Sequence, residues 1–260
     1  MSNVTPTMGD CPSCGSSDAN ATYPDDGHSW CYSCQTYTSG DKSMQQTKVI
    51  PMNNPATSQL KSVGQVADIP DRKIKQETAK KYNTQVMQSN NMITHHIYQY
   101  FDKDGNHIAN KVREVQGKKF WSEGNLAGSG LFGEHIFGRA GKYITVCEGE
   151  IDAMSAYEML GSKWPVVSIK NGAASALENC RRSFEYLNQF ENVVLCFDND
   201  KPGKEAALKV AELFDPNKCK IIELELKDAN EYLKTNQRKK FNDDWWNATT
   251  FTPAGIVNLA

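Results

Sequence analysis

Tyr143-Ile-Thr-Val-Cys-Glu-Gly-Glu-Ile-Asp152 runs from a short apolar, β-branched segment straight into paired acids, and a helical pattern follows from Ala153 to Leu160. The same grammar recurs further on, where Val193-Val-Leu-Cys-Phe197 leads into Asp198-Asn-Asp200. A continuous apolar run bounded by polar residues reads as a strand buried on both faces, as in parallel α/β sheets. In such sheets ligands gather outside the carboxyl ends of the strands. Glu148 is therefore expected to face Asp198 and Asp200 across one crevice. Crowded carboxylates repel unless cations lie between them, and hard divalent ions, Mg²⁺ above all, prefer oxygen ligands. The competing reading is that these acids are helix caps and first-turn residues that complement the helix dipole. The D-x-D at a strand end puts two carboxylates on one face, which favours a metal site that handles phosphates.

Around this stretch strands and helices alternate. Strands are predicted at 143–147, Pro165–Ile169, 193–197 and Lys220–Leu224, and helices at 150–160, 173–189, 201–213 and 229–235. Strict alternation implies an α/β fold with a parallel sheet covered by helices. Asp228, in Lys227-Asp-Ala-Asn-Glu231, is either a further Mg²⁺ ligand or the N-cap of the last short helix; it is placed with the site. Asp152 lies one turn beyond Glu148 and reads as a residue behind the ligands. Lys170-Asn-Gly172 offers backbone N–H groups toward an anion. Downstream, Phe241, Trp245 and Trp246 sit at helical spacing and are expected to close the core. Gly255-Ile-Val-Asn-Leu-Ala260 carries no stop signal and is expected to lead toward a further domain.

Upstream lies the basic part of the chain. Lys and Arg outnumber Asp and Glu by 11 to 6 over residues 61–120, against 2 to 5 over 1–60 and 16 to 20 over 121–260. That asymmetry suits a polyanion path leading to an acidic site. Ile74, Thr78 and Tyr82 mark one face of an amphipathic helix. His96–Phe101 and His107–Arg113 flank Asp102-Lys-Asp-Gly-Asn106, whose Asp-Gly pair signals a hairpin. Lys111 and Arg113 share one face, with Lys118 and Lys119 just beyond; they form either a phosphate-binding patch or a solvated strand face. The glycine-rich loop Gly124–Gly133 lacks G-x-x-x-x-G-K-[ST], as does the whole chain, so a complete motor ATPase is excluded.

Cys11-Pro-Ser-Cys14 and Cys31-Tyr-Ser-Cys34 form C-x₂-C-x₁₆-C-x₂-C, the spacing of a four-cysteine zinc site. Disulfides or redox motifs are the alternatives. The chain opens without the basic and apolar regions of a secretory signal, which argues for a reducing cytoplasm and against disulfides. Two copies of C-x-x-C at this spacing argue against a redox role. A segment of about forty residues needs such a staple to fold. Cys147, Cys180, Cys196 and Cys219 read as core residues. Between the pairs, Asp25-Asp-Gly-His-Ser-Trp30 turns at Gly27. His28 and Trp30 either stack on unpaired bases or, for Trp30, fill the miniature core. From Gly40 to about Lys61 the chain is polar with Pro51 and Pro55, a flexible tether. No run of about 18 apolar residues occurs, so no membrane span and no membrane partner are expected.

The pattern E-G-x-x-D at Glu148–Asp152 with D-x-D at Asp198–Asp200 resembles the TOPRIM module of primases, topoisomerases and some nucleases, over Lys142 to about Lys234. With the ribbon, tether and basic segment in this order, the chain resembles the primase half of the bifunctional bacteriophage primase–helicases. The matches are G-S-S-D-x-N, D-G-H, K-V-R, L-F-G, C-E-G-E-I-D, F-D-N-D and K-D-A-N-E. The resemblance implies five segments: a zinc ribbon at 1–40, a linker at 41–62, a basic α+β subdomain at 63–139, TOPRIM at 140–240, and 241–260 leading to a helicase domain. It implies a DNA primase that makes RNA primers from NTPs on single-stranded DNA in the cytoplasm of an infected bacterium. One Zn²⁺ would be held by Cys11, Cys14, Cys31 and Cys34, and two Mg²⁺ by Glu148, Asp198, Asp200 and Asp228. Asp26 and His28, with Trp30, would read the template trinucleotide, and a replicative DNA polymerase would receive the primer. Lys111, Arg113, Lys118 and Lys119 would hold the incoming nucleotide, Lys118 and Lys119 being alternatives across a one-residue insertion near Gly117. The histidine usual between the glycines after the second strand is replaced around Asn171.

Two other classes share the module. A zinc-and-TOPRIM recombination mediator is expected to carry helix-hairpin-helix glycines before its cysteines, where only ten residues stand here. A topoisomerase needs a catalytic tyrosine on a separate domain, for which the chain has little room; a nuclease would use the same acids on phosphodiesters.

Overall fold

The computed structural model describes residues 5–12, 19–25, 27–31, 36–38, 60–117 and 119–253. Cys14, Asp26, Cys34, Lys118, tether residues 41–59 and the last seven residues lie outside them. The chain divides into two compact units, Met1–Asn53 and Asn54–Ala260.

The first unit is a four-stranded antiparallel sheet of β1 (Thr7–Gly9), β2 (Asn20–Thr22), β3 (Ser29–Cys31) and β4 (Tyr37–Thr38), in that order. Cys11 and Cys31 are buried in it.

The second unit begins earlier than the sequence suggests. Glu123 accepts hydrogen bonds from the N–H groups of Lys61 (3.0 Å) and Ser62 (2.9 Å) and from the Ser62 hydroxyl (2.7 Å), so the expected tether ends before these residues. The amphipathic helix expected around Ile74, Thr78 and Tyr82 is α1 (Gln76–Lys81), preceded by a 3₁₀ turn at Pro70–Arg72. Left-handed Lys73 (φ 54°) separates them. Ile74, Thr78 and Tyr82 are nonetheless the buried side of this segment. An antiparallel meander follows: β5 (Thr84–Ser89), β6 (Met92–Phe101), β7 (His107–Glu114) and β8 (Phe120–Gly124). The Asp102–Asn106 turn joins β6 to β7, with Gly105 at φ 82°.

The second sheet contains β9 (Gly141–Cys147), β10 (Val166–Ser168), β11 (Phe190–Cys196), β12 (Cys219–Ile221) and β13 (Thr249–Thr250) in the order β10-β9-β11-β12-β13. The first four are parallel; β13 adds an antiparallel edge that the helical reading of the tail did not foresee. Its helices are α2 (Glu150–Met159), α3 (Ala176–Arg182), α4 (Phe184–Leu187), α5 (Lys201–Ala211), α6 (Ala229–Lys234) and α7 (Arg238–Trp246). The single helix expected over 173–189 is a 3₁₀ turn plus α3 and α4, broken at Ser183.

The continuous apolar strands have a direct cause. Ile144, Val146, Val193 and Leu195 enter one core with α3 to α5, while Cys147, Val194 and Cys196 enter the other with α2, α6 and α7. Both faces are buried, so alternate positions are all apolar. The second core also takes Tyr98 and Tyr100 from the meander, Tyr82 from the end of α1 and Phe132 from the glycine-rich loop, so packing runs across the expected boundary at 139/140. Phe241 and Trp245 close this core, and the Trp245 indole N–H satisfies buried Thr145 at 3.0 Å. Trp246 does not: it stays 57% exposed, its ring edge-on to Tyr143. No helix among the described residues is long and apolar enough to cross a membrane.

Candidate active site

β9 and β11 are adjacent and parallel, with Cys147 opposite Cys196, so the acids that follow leave the sheet side by side. Glu148 Oε1 accepts from the Ala173 N–H (3.1 Å) after β10, and Oε2 from the Asp198 N–H (3.4 Å). Burial raises its pKa, with Asp200 adding like-charge repulsion. Asp198 is half-buried, and no donor among the described residues hydrogen-bonds its carboxylate. Burial, then Glu148 and Asp228, push it up to about 7.

The other acids serve partly as helix caps. Asp200 is the N-cap of α5, accepting from the Gly203 N–H at 2.8 Å. Asp228 is the N-cap of α6, accepting from the Glu231 N–H at 2.8 Å. The cap reading of Asp228 is thus met, and the same carboxylate also repels Asp198 and Asp152 without lining the cleft described below. Asp152 accepts from the Asn230 N–H at 3.0 Å, and its pKa is raised well above the carboxylate range by burial, then by Asp228 and Asp198.

The meander supplies the opposite wall. Lys111 on β7 reaches across to Glu150, with Nζ 2.7 Å from Oε1, and donates to the Lys170 carbonyl at 2.5 Å. Buried Glu150 also accepts the Tyr100 hydroxyl at 2.6 Å. Arg113 lies on the same face, and both cations lie over the exposed ring of Phe120, at 5.3 Å for Lys111 and 5.7 Å for Arg113. A cleft of about 420 Å³ has Lys111, Phe120, Glu148, Asp198, Asn171 and Gly172 in its wall. Lys119 is exposed at the start of the β8 hairpin and does not line this cleft. Glu150, Tyr100 and Phe120 were not picked out from the sequence, and Lys170 only for its backbone N–H, which Asn179 takes at 2.8 Å; the repeated acid in Glu148-Gly-Glu150 was the signal available for Glu150.

Among the described residues no group of three or more His, Cys, Asp or Glu side chains is arranged to hold a metal ion. The donor set still fits a hard divalent cation: the groups are carboxylate oxygens, mutually repelling, and Asp198 has no competing hydrogen bond. In the first unit His28 stacks on Tyr23 (centroids 4.4 Å) and tilts against Tyr37 (5.6 Å), while Trp30 is half-buried. Neither tyrosine was singled out from the sequence.

A Toprim-like family model matches residues 145–233. The DNA helicase/primase of Enterobacteria phage T3 is 32% identical over 256 residues, covering 95% of this chain. The chain spans 44% of that relative's length. The primase fragment of the bacteriophage T7 primase-helicase protein is 30% identical and superimposes with a TM-score of 0.66 over 94% of this chain and all of that one. This chain belongs to the primase portion of the phage primase–helicase family. A further match, at 32% identity and TM-score 0.66, covers 72% of this primase chain and 94% of the other. That chain comes from a structure of the T7 lagging-strand DNA polymerase interacting with primase domains of two subunits bound to an RNA/DNA hybrid and dTTP. The acids and Lys111 of this primase chain thus sit within the matched span.

Proposed function

We propose that this chain is a DNA primase that joins ribonucleoside triphosphates on a single-stranded DNA template. The observation that carries the reading is the cleft itself, where Lys111 from the antiparallel meander enters the same space as Glu148 and Asp198 from the parallel sheet. Lys111 and Arg113 bind the triphosphate, and Lys118 or Lys119 is assigned a further nucleotide contact by the family match alone. Phe120 offers an exposed aromatic surface beside it, on which a base or sugar can rest. Asp198 and Asp200, with Glu148 and Asp228, hold Mg²⁺. When bound there, the metal neutralises phosphate charge and lowers the pKa of the attacking 3′-hydroxyl. Glu148, as ligand or as general base, is the group assigned to the hydroxyl proton.

Cys11, Cys14, Cys31 and Cys34 hold one Zn²⁺, which staples the first unit. His28, with Asp26 and Trp30, reads the template there by stacking and hydrogen bonding. The relatives' descriptions support a helicase domain beyond this chain and contact with a DNA polymerase; that polymerase would take over the primer, in the cytoplasm of an infected cell. Incubation with single-stranded DNA of varied sequence, Mg²⁺ and labelled NTPs tests the reading: short template-dependent RNA products are expected. Phosphodiester cleavage without NTP joining would favour the nuclease alternative instead.

A further inference from the structure

Lys170 follows β10 and lies in no role assigned above, yet it is only 5% exposed. A buried ammonium is costly unless every proton finds an acceptor. Its Nζ donates to the main-chain carbonyls of Ser129 (2.8 Å) and Leu126 (3.3 Å), both in the glycine-rich loop Gly124–Gly133. Its N–H donates to the side chain of Asn179 on α3 at 2.8 Å. Its own carbonyl is the one that receives Lys111 Nζ at 2.5 Å. The next two residues, Asn171 and Gly172, line the cleft, and the following N–H binds Glu148.

We propose that Lys170 is a positioning residue for nucleotide binding: by clamping the glycine-rich loop it holds its own carbonyl, and through it the Lys111 ammonium, at a fixed place in the cleft. This rests on Lys111 being the triphosphate contact. The physical logic is one of pre-organisation. The Lys111 side chain has four rotatable bonds, and its ammonium is anchored by Glu150 on one side and by this carbonyl on the other. Losing the second anchor leaves the ammonium to sample positions away from the phosphate, which weakens binding before it touches bond formation. Burial also lowers the Lys170 pKa, with Arg182 adding repulsion, in keeping with an ammonium held by neutral carbonyls rather than by an acid. Arg182 reaches the same loop through the Ala127 carbonyl at 3.2 Å, but from an exposed position.

The test is steady-state primer synthesis by K170M, K170R and K111A, with fluorescent-nucleotide binding and melting temperature measured alongside. K170M is expected to raise the NTP KM about tenfold with kcat within about twofold, and K170R to recover at least half of that loss. A K170M protein with a lowered melting temperature and an unchanged KM would assign the residue to folding alone and overturn the proposal. K111A separates the two layers: if it leaves nucleotide affinity unchanged, the reading of Lys111 fails whatever Lys170 does. If K111A weakens affinity and K170M does not, only the positioning role fails. Should K170M not fold, K170Q is the second variant, since it removes the ammonium that reaches the Leu126 and Ser129 carbonyls; a raised KM in the folded protein supports the proposal and an unchanged KM refutes it.

Discussion

Asp198 is the residue on which the chemistry turns. It is half-buried, crowded by Glu148 and Asp228, and reached by no described hydrogen-bond donor, so the protein itself does little to stabilise its charge. A cation is the natural complement. D198N keeps the shape and removes the charge; it is expected to lower NTP joining by at least about a hundredfold while template binding, which belongs to other residues, stays within about twofold, as filter binding checks. His28 carries a separate prediction. Its ring stacks on Tyr23 and tilts against Tyr37, a surface that base stacking can extend. H28A is expected to erase start-site preference across a template set while untemplated dinucleotide formation survives. Unchanged preference would remove the ribbon from template reading.

At the scale of elements, the strand–acid–helix junctions explain why some features were legible and others were not. Tyr143–Cys147 and Val193–Cys196 are buried on both faces, so their composition alone announced a parallel sheet. β5 was missed because Thr-Gln-Val-Met-Gln-Ser buries only Thr84 and Val86 at alternate places, a weak signal in a polar segment. Glu150 was missed because its partners, Tyr100 and Lys111, come from the other sheet, and no local pattern encodes a contact across that distance in sequence. Asp200 caps α5, and the proposed metal role falls on the same residue two positions after Asp198. D200S separates them. Serine is as good a cap, so the melting temperature should move by no more than about 2–4 °C, whereas activity should collapse. Retained activity in D200S would make Asp200 a cap and nothing more. α7 supplies a purely structural counterpart: F241A empties a fully buried site and is expected to cost about 3–5 kcal/mol in denaturant unfolding.

The whole molecule consists of two compact units, and its responses to chelation and to acid should differ accordingly. With the proposed Zn²⁺ site, chelation is expected to unfold the small antiparallel sheet around Cys11 and Cys31 and to abolish the proposed template selection. The cooperative melting of 54–260 should remain, because its core contains no residue of the first unit. A single joint transition lost on chelation would contradict this. Acid acts on the larger unit. His96 is fully buried, and desolvation lowers its pKa to about 4, although Asp71 at 3.9 Å pulls the other way. It is therefore neutral at pH 7. In the unfolded chain it titrates near 6.5, so below that pH the unfolded state binds the extra proton. The associated stability is present above about pH 6.5 and is lost as pH falls toward 4, by up to about 3 kcal/mol. Melts of wild type and H96Q between pH 7.5 and 4.5 should show a shallower decline in the variant; identical slopes would contradict the assignment.

The central claim is that acids from two neighbouring strand ends and a lysine from the facing meander form one nucleotide-joining site. Mg²⁺-dependent incorporation of labelled NTPs on single-stranded DNA, compared between wild type and a folded D198A/D200A double variant, tests it most directly. Template-dependent RNA from the wild type and background signal from the variant is the predicted result; equal synthesis by both would contradict it.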